Sequence, residues 1–377
     1  MKNYNCKFKI ILFLILLIFF GNSIEARIND PKTTVSNTNE GRNTKKFDLT
    51  KVLPEGFKVD GSVDYTSYIQ KGIDENKNVI MPNFPILINE KGIYPKSNST
   101  IHFNKKSVII MKPNSLENYA IIMISNVHNV ILESPVIIGE RNQHKGSKGE
   151  WGMGIQITAS KNIRINSPKI SNCWGDGIYI GGDEANTCEN IKILNTKIDS
   201  CRRNGISITD GKNIQIISPL ISNTQGTSPM SGIDIEPNNK DATIENITIS
   251  NPTTLNNKQA GIAIVLIALP SEKSKNVSIK IANHIDKQSN IALWLVGART
   301  DDPKKLELSG SILISNPKWY DNKHTIISEK FDLGPKTIFT NIKIFNNEMR
   351  LSDNSQNQEI SNLMKDQSGN KKIVIEN

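Results

Sequence analysis

The tetrapeptide Gly177-Ile-Tyr-Ile180 returns along the chain as Gly205-Ile-Ser-Ile208 and again as Gly232-Ile-Asp-Ile235. The same pattern begins earlier at Gly154 and later at Gly261, and successive copies start 23 to 29 residues apart. In each copy two isoleucines flank one variable residue, which is the period of a β-strand. The chain is therefore built from repeated units that share one short strand.

A second series of short apolar runs, each opened by an asparagine, accompanies the glycine series. Each unit thus holds two or three strands that are too short to be stable alone. Stacking the units in register buries the isoleucines and pairs each strand with the next coil. The spacing predicts an all-β solenoid, a parallel β-helix, and the recurring asparagine predicts an internal asparagine ladder. The runs begin at Asn129, Asn162, Asn190, Asn213, Asn246 and Asn276.

The repeat continues less regularly in both directions, so we expect about nine or ten coils over residues 78–346. Asp64 and an apolar stripe that includes Ile69 and Ile73 predict a short helix that caps the first coil. The β-helix domain is expected over residues 60–346. A polar arm over residues 27–59 precedes it, and a polar tail over residues 347–377 either adds a lateral strand or stays mobile.

The N-terminus carries basic residues, an apolar run from Ile10 to Phe20 and a small residue, Ala26. This order is typical of a cleaved signal peptide over residues 1–26, with an uncleaved signal anchor as the alternative. We therefore expect a secreted or periplasmic protein with no membrane contact after cleavage. Cys173 and Cys201 fall at equivalent positions of adjacent coils, where either a disulfide or two stacked thiols would fit.

The composition favours an anionic partner. Lys and Arg number 46 against 37 for Asp and Glu, which gives a formal net charge of +9. Export and the lack of a basic stripe along any one strand ladder argue against nucleic acid as that partner. The sequence has no zinc-site spacing, dinucleotide fingerprint or nucleophile elbow. The oligomeric state does not follow from these residues.

The helix over Asp64 to Ile73, followed by the Gly-Ile-x-Ile coils, resembles the pectate-lyase-like superfamily over residues 60–346. The resemblance implies a single-stranded right-handed parallel β-helix with a short N-terminal capping helix. It also implies a carbohydrate-active protein, because that superfamily includes polysaccharide lyases, glycoside hydrolases, uronate epimerases and phage depolymerases. Asn223-Thr-Gln-Gly226 is distantly similar to a polygalacturonase segment, but the paired Asp, Gly-His-Gly and Arg-Ile-Lys motifs that should follow are absent.

Registering the coils on the shared glycine predicts an outward column of Tyr179, Ser207 and Asp234. Indole rings stack on pyranose faces and guanidinium groups bind carboxylates, so aromatic and basic residues beside this column suit an acidic sugar chain. A packed turn residue is the alternative for each Trp, and a solvated turn for the two Arg. The predicted substrate-binding residues are Trp151, Trp174, Tyr179, Arg202, Ser207 and Asp210.

The predicted catalytic residues are Asp176, Arg203, Asp234 and Glu236. Asp234 and Glu236 lie two apart on one outward face, near the separation of an inverting glycosidase pair. In a lyase, Arg202 or Arg203 would act as base or carboxylate neutraliser, and Ca²⁺ held by Asp234, Glu236 or Asp176 would be the one possible cofactor. Simple surface charge or a cation site is the alternative. The interruption over residues 139–150 is either a substrate-gripping loop or a tolerated insertion.

Two functions therefore remain open at this point. The first is a secreted polysaccharide lyase or glycoside hydrolase that acts on an acidic polysaccharide along the outer face of the β-helix. The second is a non-catalytic glycan-binding or adhesive β-helix protein that uses the same face.

Overall fold

The computed structural model describes residues 45–297, 304–329, 331–347, 349–352, 354–356, 358 and 372–376. The predicted signal peptide and residues 27–44 of the predicted arm lie outside the described residues. Within the described part of the chain, no helix is long and apolar enough to cross a membrane.

The described strands stack into three long sheets of 12, 11 and 8 strands, named sheets A, B and C. Sheet A contains Phe47–Asp48, Asn78–Ile80, Ser99–His102, His128–Glu133, Lys161–Asn166, Glu189–Leu194, Gly211–Ile217, Ile244–Ser250, Asn276–Ala282, Ser309–Ser315, Lys336–Thr340 and Ile373–Glu376. Sheet B contains Pro85–Ile88, Val108–Met111, Val136–Ile138, Lys169–Ser171, Lys197–Asp199, Leu220–Ser222, Thr253–Leu255, Ile285–Lys287, Lys318–Tyr320, Lys343–Asn346 and Met349–Arg350. Sheet C contains Asn118–Ser125, Trp151–Thr158, Ile178–Gly181, Ile206–Ile208, Ile233–Ile235, Ala260–Val265, Ile291–Val296 and His324–Glu329.

The predicted parallel β-helix is confirmed by the strand register. Ile178 pairs with Ile206, and Ile206 pairs with Ile233, each on the next coil. All three side chains are fully buried. Neighbouring strands are parallel except for the last pair of sheet B, Lys343–Asn346 with Met349–Arg350, which is antiparallel. Equivalent positions of successive coils therefore face the core, or face the outside, together.

The recurring glycine lies where the turn before sheet C passes close to the inner side chains of sheet B. A β-carbon on Gly205 would collide with Ile221 Cγ2 and would lie 2.5 Å from the carbonyl oxygen of Gly232. On Gly177 it would lie 2.7 Å from Ile198 Cγ2. The motif thus needs glycine for space, because a side chain would push the stacked coils apart.

We expect Gly205→Ala to lower the free energy of unfolding by about 2–3 kcal/mol, because the added methyl group overpacks the core. Urea unfolding followed by circular dichroism measures the change. Gly56→Asn is the matched control, since Gly56 has open space around its α-carbon and a φ of 72° that asparagine tolerates. Equal stability of the two variants would contradict the proposed role of the glycine.

An asparagine ladder is present, but it lies on the outside of the solenoid and not inside as predicted. Asn162 Nδ2 donates to Asn129 Oδ1 at 3.0 Å, and Asn190 Nδ2 donates to Asn162 Oδ1 at the same distance. Both bonds are exposed, and the three residues have φ near 57°. Asparagine recurs here because it adopts the left-handed turn and also bonds to the next coil.

Elements from outside the regular coils join the solenoid at both ends. Thr66–Glu75 forms the predicted capping helix and buries Ile69 and Ile73. Residues 45–59, which we expected to be polar arm, instead contribute the strand Phe47–Asp48 to sheet A and the 3₁₀ helix Leu49–Val52 to the cap. At the other end Ile373–Glu376 adds a parallel strand to sheet A, which is one of the two predictions for the tail.

One carboxylate points into the core. Asp286 lies on sheet B between Thr254 and Trp319, in the column that earlier coils fill with isoleucine. Trp319 Nε1 donates to His284 Nδ1 at 3.1 Å, so His284 holds its own proton on Nε2, which lies 2.7 Å from the Thr254 hydroxyl. Thr254 in turn donates to Asp286 at 2.5 Å. Burial raises the pKa of Asp286 to about 6 and lowers the pKa of His284 to about 3.

The buried carboxyl of Asp286 predicts a specific pH dependence of stability. Between about pH 4 and pH 6 the folded protein keeps a proton on Asp286 that the unfolded chain has lost. The contribution of Asp286 to the free energy of unfolding should therefore fall by about 3 kcal/mol as the pH rises through that window and then level off. His284, which stays neutral in the folded protein and is protonated in the unfolded chain, contributes with the opposite sign, so the fall is read as the difference between wild type and variant. Asp286→Asn should remove this fall, whereas Asp241→Asn on the exposed surface should not. Urea unfolding at each pH measures it, and parallel profiles for both variants would contradict the prediction.

Of the two alternatives for Cys173 and Cys201, the structure has the stacked thiols. Both cysteines are buried and free, as is Cys188. Contact with Cys201, together with burial, raises the pKa of the Cys173 thiol well above its usual range. These thiols belong to the core and not to the outer face.

Candidate functional site

The outward column on sheet C has the predicted register but not the predicted exposure. Gln156 pairs with Tyr179, Tyr179 with Ser207, and Ser207 with Asp234. Ser207 and Asp234 are each only 1% exposed. The turn that precedes Ser207 covers them, because Asn204 Nδ2 donates to Ser207 Oγ and to Asp234 Oδ2, each at 3.0 Å. The column therefore faces away from the core but reaches solvent only at its Gln156 and Tyr179 end.

Asp176 is the centre of the polar network under this turn. Its carboxylate accepts hydrogen bonds from the Ser207 hydroxyl at 2.7 Å, the Asn204 backbone N–H at 2.9 Å and Arg203 Nη1 at 3.1 Å. Asp176 is fully buried. Burial raises its pKa, while Arg203 and the hydrogen bonds oppose the rise. Asp176 thus fixes the position of Arg203 and has no contact with solvent.

Asp234 is the second buried carboxyl of the site. Its Oδ2 accepts from Asn204, and its Oδ1 has no hydrogen-bond partner among the described residues. Burial, and next to it the nearby carboxylate of Glu236, raises the pKa of Asp234 well above its usual range. Asp234 therefore carries a proton under conditions in which an exposed Asp would be ionised.

Arg203 joins these carboxyls to two half-buried ones, those of Glu150 and Glu236. Beside its bond to Asp176, its Nε lies 3.5 Å from Glu150 Oε2 and its Nη2 lies 4.0 Å from Glu236 Oε2. The glutamate side chains are 36% and 37% exposed, whereas Arg203 is 15% exposed. Burial alone would lower the pKa of Arg203, but the carboxylates around it, Asp176 foremost, raise it. Arg203 is therefore a permanent cation surrounded by excess negative charge.

Sequence reasoning did not single out Asn204 as a site residue, and it included Glu150 only as part of the segment 139–150. Asn204 and Asp176 both precede the shared glycine of their coils, and Ser231 holds the same position on the next coil. The structure joins them, since Ser231 N donates to Asn204 Oδ1 at 2.9 Å. The register of the repeat is enough to predict that Asp176, Asn204 and Ser231 lie in one column. Glu150 gave no such signal, because it lies in the segment that interrupts the repeat.

A cleft of about 410 Å³ opens on the outer face of sheet C beside Arg203. Trp151 is 45% exposed at its edge, and the Tyr179 hydroxyl lies 2.8 Å from Thr209 Oγ1. An exposed indole, a phenol and several amides suit the faces and hydroxyl groups of sugars. A cavity of about 460 Å³ near Trp319 and Leu351 lacks the Arg203 cluster. The cleft beside Arg203 is lined by Asn118, Trp151, Met153, Gln156, Tyr179, Arg203, Thr209 and Asn238.

Trp174 was predicted to be exposed, but it is buried, because both faces of its indole are covered by other side chains. The His144 ring stacks on it with centroids 3.8 Å apart, and the Arg202 guanidinium carbon lies 3.7 Å from its centroid. Only 9% of Trp174 is exposed. His144 Nδ1 lies 2.9 Å from Glu140 Oε1, to which the Tyr119 hydroxyl also donates. Trp174 therefore holds the segment 139–150 in place and offers no face to a sugar.

Asp210 stays apart from the cluster. It accepts a hydrogen bond from the Thr187 hydroxyl on the preceding coil, and burial raises its pKa. None of its hydrogen bonds among the described residues reaches Arg203. Asp210 thus supports the loop around Thr187, which removes the geometric reason for placing it in the substrate site.

The acidic residues of the site do not fit the Ca²⁺ considered for a lyase. The guanidinium of Arg203 already forms ion pairs with Asp176 and Glu236. Both carboxylate oxygens of Asp176 accept hydrogen bonds, from Arg203, Ser207 and the Asn204 backbone. A cation would have to displace Arg203 from this position. Among the described residues, no group of three or more His, Cys, Asp or Glu side chains is placed to hold a metal ion.

We expect His144→Ala to lower the free energy of unfolding by about 2–3 kcal/mol, because it leaves a cavity between the Tyr119 and Trp174 rings. His144→Phe keeps the stack and loses only the bond to Glu140, so it should be closer to wild type. Thermal unfolding measures both, with the exposed neighbour variant Lys145→Ala as control. An equal loss in the alanine and phenylalanine variants would contradict the importance of the stack.

The sequence pattern of the family described as "Right handed beta helix region" matches residues 73–267, about half of the chain. Two Bacillus subtilis proteins described as uncharacterized are similar in sequence. YclG is 30% identical over 160 residues, which are 38% of this chain and 27% of YclG. The SPbeta prophage-derived YorA is 36% identical over 96 residues, 24% of this chain and 16% of YorA. The matched segments thus span much less than two thirds of either relative.

Several solved structures share the fold at low sequence identity. A polygalacturonase from Erwinia carotovora aligns with a TM-score of 0.57 at 13% identity, over 78% of this chain and 93% of that one. A tailspike protein from an Acinetobacter baumannii bacteriophage, a capsular polysaccharide depolymerase, aligns at 0.53 and 14% identity over 84% and 66%. The Streptococcus pneumoniae surface adhesin PfbA aligns at 0.50 and 14% identity over 80% and 89%. At these identities the likeness is one of fold.

Proposed function

Because the chain belongs to the right-handed parallel β-helix family of pectate-lyase-like proteins, we propose that it is an exported enzyme that hydrolyses a polysaccharide in the cleft beside Arg203. One observation carries the proposal. Two half-buried glutamates, Glu150 and Glu236, lie within 4.0 Å of one guanidinium at the edge of a cleft, next to the buried carboxyl of Asp234. The fold neighbours include both polysaccharide-degrading enzymes and a surface adhesin.

The two glutamates are the groups that reach the sugar. Glu236 passes the proton held on the neighbouring Asp234 carboxyl to the glycosidic oxygen, so that Asp234 and Glu236 together act as the general acid and the pair is left with one more negative charge. Glu150 is the general base that activates water on the other side of the bond. Arg203 holds both carboxylates, and Asp176 positions Arg203 from below. Trp151 and Tyr179 bind the sugar rings in the cleft.

Hydrolysis is favoured over β-elimination by the charge state of Arg203. An arginine that acts as a base must lose its proton, but the carboxylates around Arg203 raise its pKa. An arginine that neutralises a uronate needs positive charge to spare, and three carboxylates already lie within 4.0 Å of Arg203. Paired carboxylates, in contrast, are the groups that glycoside hydrolysis requires.

The test is incubation with a panel of acidic and neutral polysaccharides, read both as new reducing ends and as absorbance of unsaturated uronate. Glu236→Gln and Glu150→Gln should each lower kcat/KM by about 10²- to 10⁴-fold without unfolding the protein. Glu245→Gln is the matched control, because Glu245 forms an exposed ion pair with Lys212 on sheet A. Hydrolysis that survives in both site variants, or unsaturated products instead of reducing ends, would contradict the proposal.

A glycan-binding protein without catalysis is the second candidate. The favouring observation is that Asp176 and Asp234 are both buried under the Asn204 turn, where a structural network would also place them. This candidate predicts that the wild type binds a polysaccharide and releases no product from it. Trp151→Ala should weaken that binding about 10-fold, because Trp151 is the exposed ring of the cleft.

A further inference from the structure

Arg141 and Arg202 both approach Gly226, a residue that has no side chain. A β-carbon on Gly226 would lie 2.7 Å from Arg202 Cγ and 3.6 Å from Arg141 Nη2. The φ of Gly226 is 136°, a conformation that other residues rarely adopt. A side chain at this turn would therefore collide with the Arg202 side chain and approach the Arg141 guanidinium, and glycine keeps this space open.

Both guanidinium groups are fixed by backbone carbonyl groups and not by carboxylates. Arg141 Nη1 donates to Ser200 O at 2.7 Å, and Arg202 Nη1 donates to Gly149 O at 2.8 Å. The guanidinium carbon of Arg202 also lies over the indole of Trp174, 3.7 Å from its centroid. Held in this way, the two side chains lose little further conformational entropy when they bind a ligand.

The charge of the pair is not compensated locally. Among the described residues, neither Arg141 nor Arg202 forms an ion pair within 4.0 Å, whereas Arg203 has three carboxylates in that range. Asp199 and Glu150 act on the pair only from a longer distance. Two adjacent guanidinium groups without a carboxylate form a site for an anionic group, which they can bind in bidentate fashion.

The cleft itself has the opposite character. Apart from Arg203, its lining residues are uncharged, and the carboxylates around Arg203 outnumber it. A sugar carboxylate placed there would meet negative charge. The segment from Gly149 to Trp151 links the two places, since Gly149 binds Arg202, Glu150 binds Arg203 and Trp151 lines the cleft.

We propose that Arg141 and Arg202 form an anion subsite that binds the carboxylate or sulfate of one sugar while an uncharged sugar occupies the cleft. This inference rests on the proposed function, because it takes the cleft to bind a polysaccharide. The substrate class is then a heteropolysaccharide in which acidic and uncharged sugars alternate. A polymer with an acid on every sugar is a poor ligand, because one of its carboxylates would fall in the cleft.

The test compares the binding of hyaluronan and chondroitin fragments, polygalacturonate fragments and dextran to the full chain by calorimetry at two salt concentrations. The alternating polymers should bind most tightly. Arg141→Ala should weaken their binding about 10-fold or more and reduce its salt dependence, with no effect on dextran. Arg164→Ala is the matched control, because Arg164 is an exposed arginine on sheet A whose Nε donates to Asn166.

The inference is overturned if no alternating polymer binds, if polygalacturonate binds as tightly as the alternating polymers, or if Arg141→Ala behaves like Arg164→Ala. Its failure can be told apart from the failure of the proposed hydrolysis. Binding that depends on Arg141 without release of reducing ends would contradict hydrolysis and support the subsite. Release of reducing ends, together with binding that Arg141→Ala does not change, would support hydrolysis and contradict the subsite.

Discussion

Close stacking of one coil on the next is the constraint on which the rest of the structure depends. The turn before sheet C passes so near to the inner isoleucines of sheet B that only glycine fits at Gly177 and Gly205. With the coils in register, the strands inside each sheet are paired on both edges, and the isoleucine column of sheet C continues from coil to coil. The repeated glycine thus sets the spacing at which all other side chains meet.

The spacing of the coils also brings the residues of the candidate site together. Residues that precede the glycine on successive coils fall in line, so Asp176 and Asn204 meet without any long-range loop. Ser207 and Asp234 extend the line on the outer face. A site assembled from stacked positions is rigid, because moving one of its groups would require shifting a coil of the core.

The fold and the register of the outer column could be predicted, because both follow from a period that the sequence repeats. Burial at the site could not. The period says that Asp234 points away from the core, but not that the Asn204 side chain folds over it. In the same way it gave no sign that His144, from an irregular segment, would cover Trp174.

The asparagine column is a second case in which the repeat predicted the register of the residues but not where they lie in the fold. Its recurrence predicted a ladder, but the inside placement was wrong because the positive φ of asparagine belongs to the outer turn between strands. The inward Asp286 was not predicted either. It stands where earlier coils carry isoleucine, and its partners Thr254 and Trp319 lie about 30 residues away in the sequence, a distance at which no local pattern connects them.

The outer asparagine ladder has a consequence for how a chain of this kind can change in length. Every amide in it donates toward the N-terminal neighbour, from Asn246 to Asn213 and onward to Asn98, so the bonds polarise one another in a single direction. Adding or removing a complete coil leaves that zipper intact. An insertion of a few residues within a strand would move one asparagine out of register and break its hydrogen bonds to both neighbouring coils. The chain should therefore tolerate changes in length that add or remove whole coils.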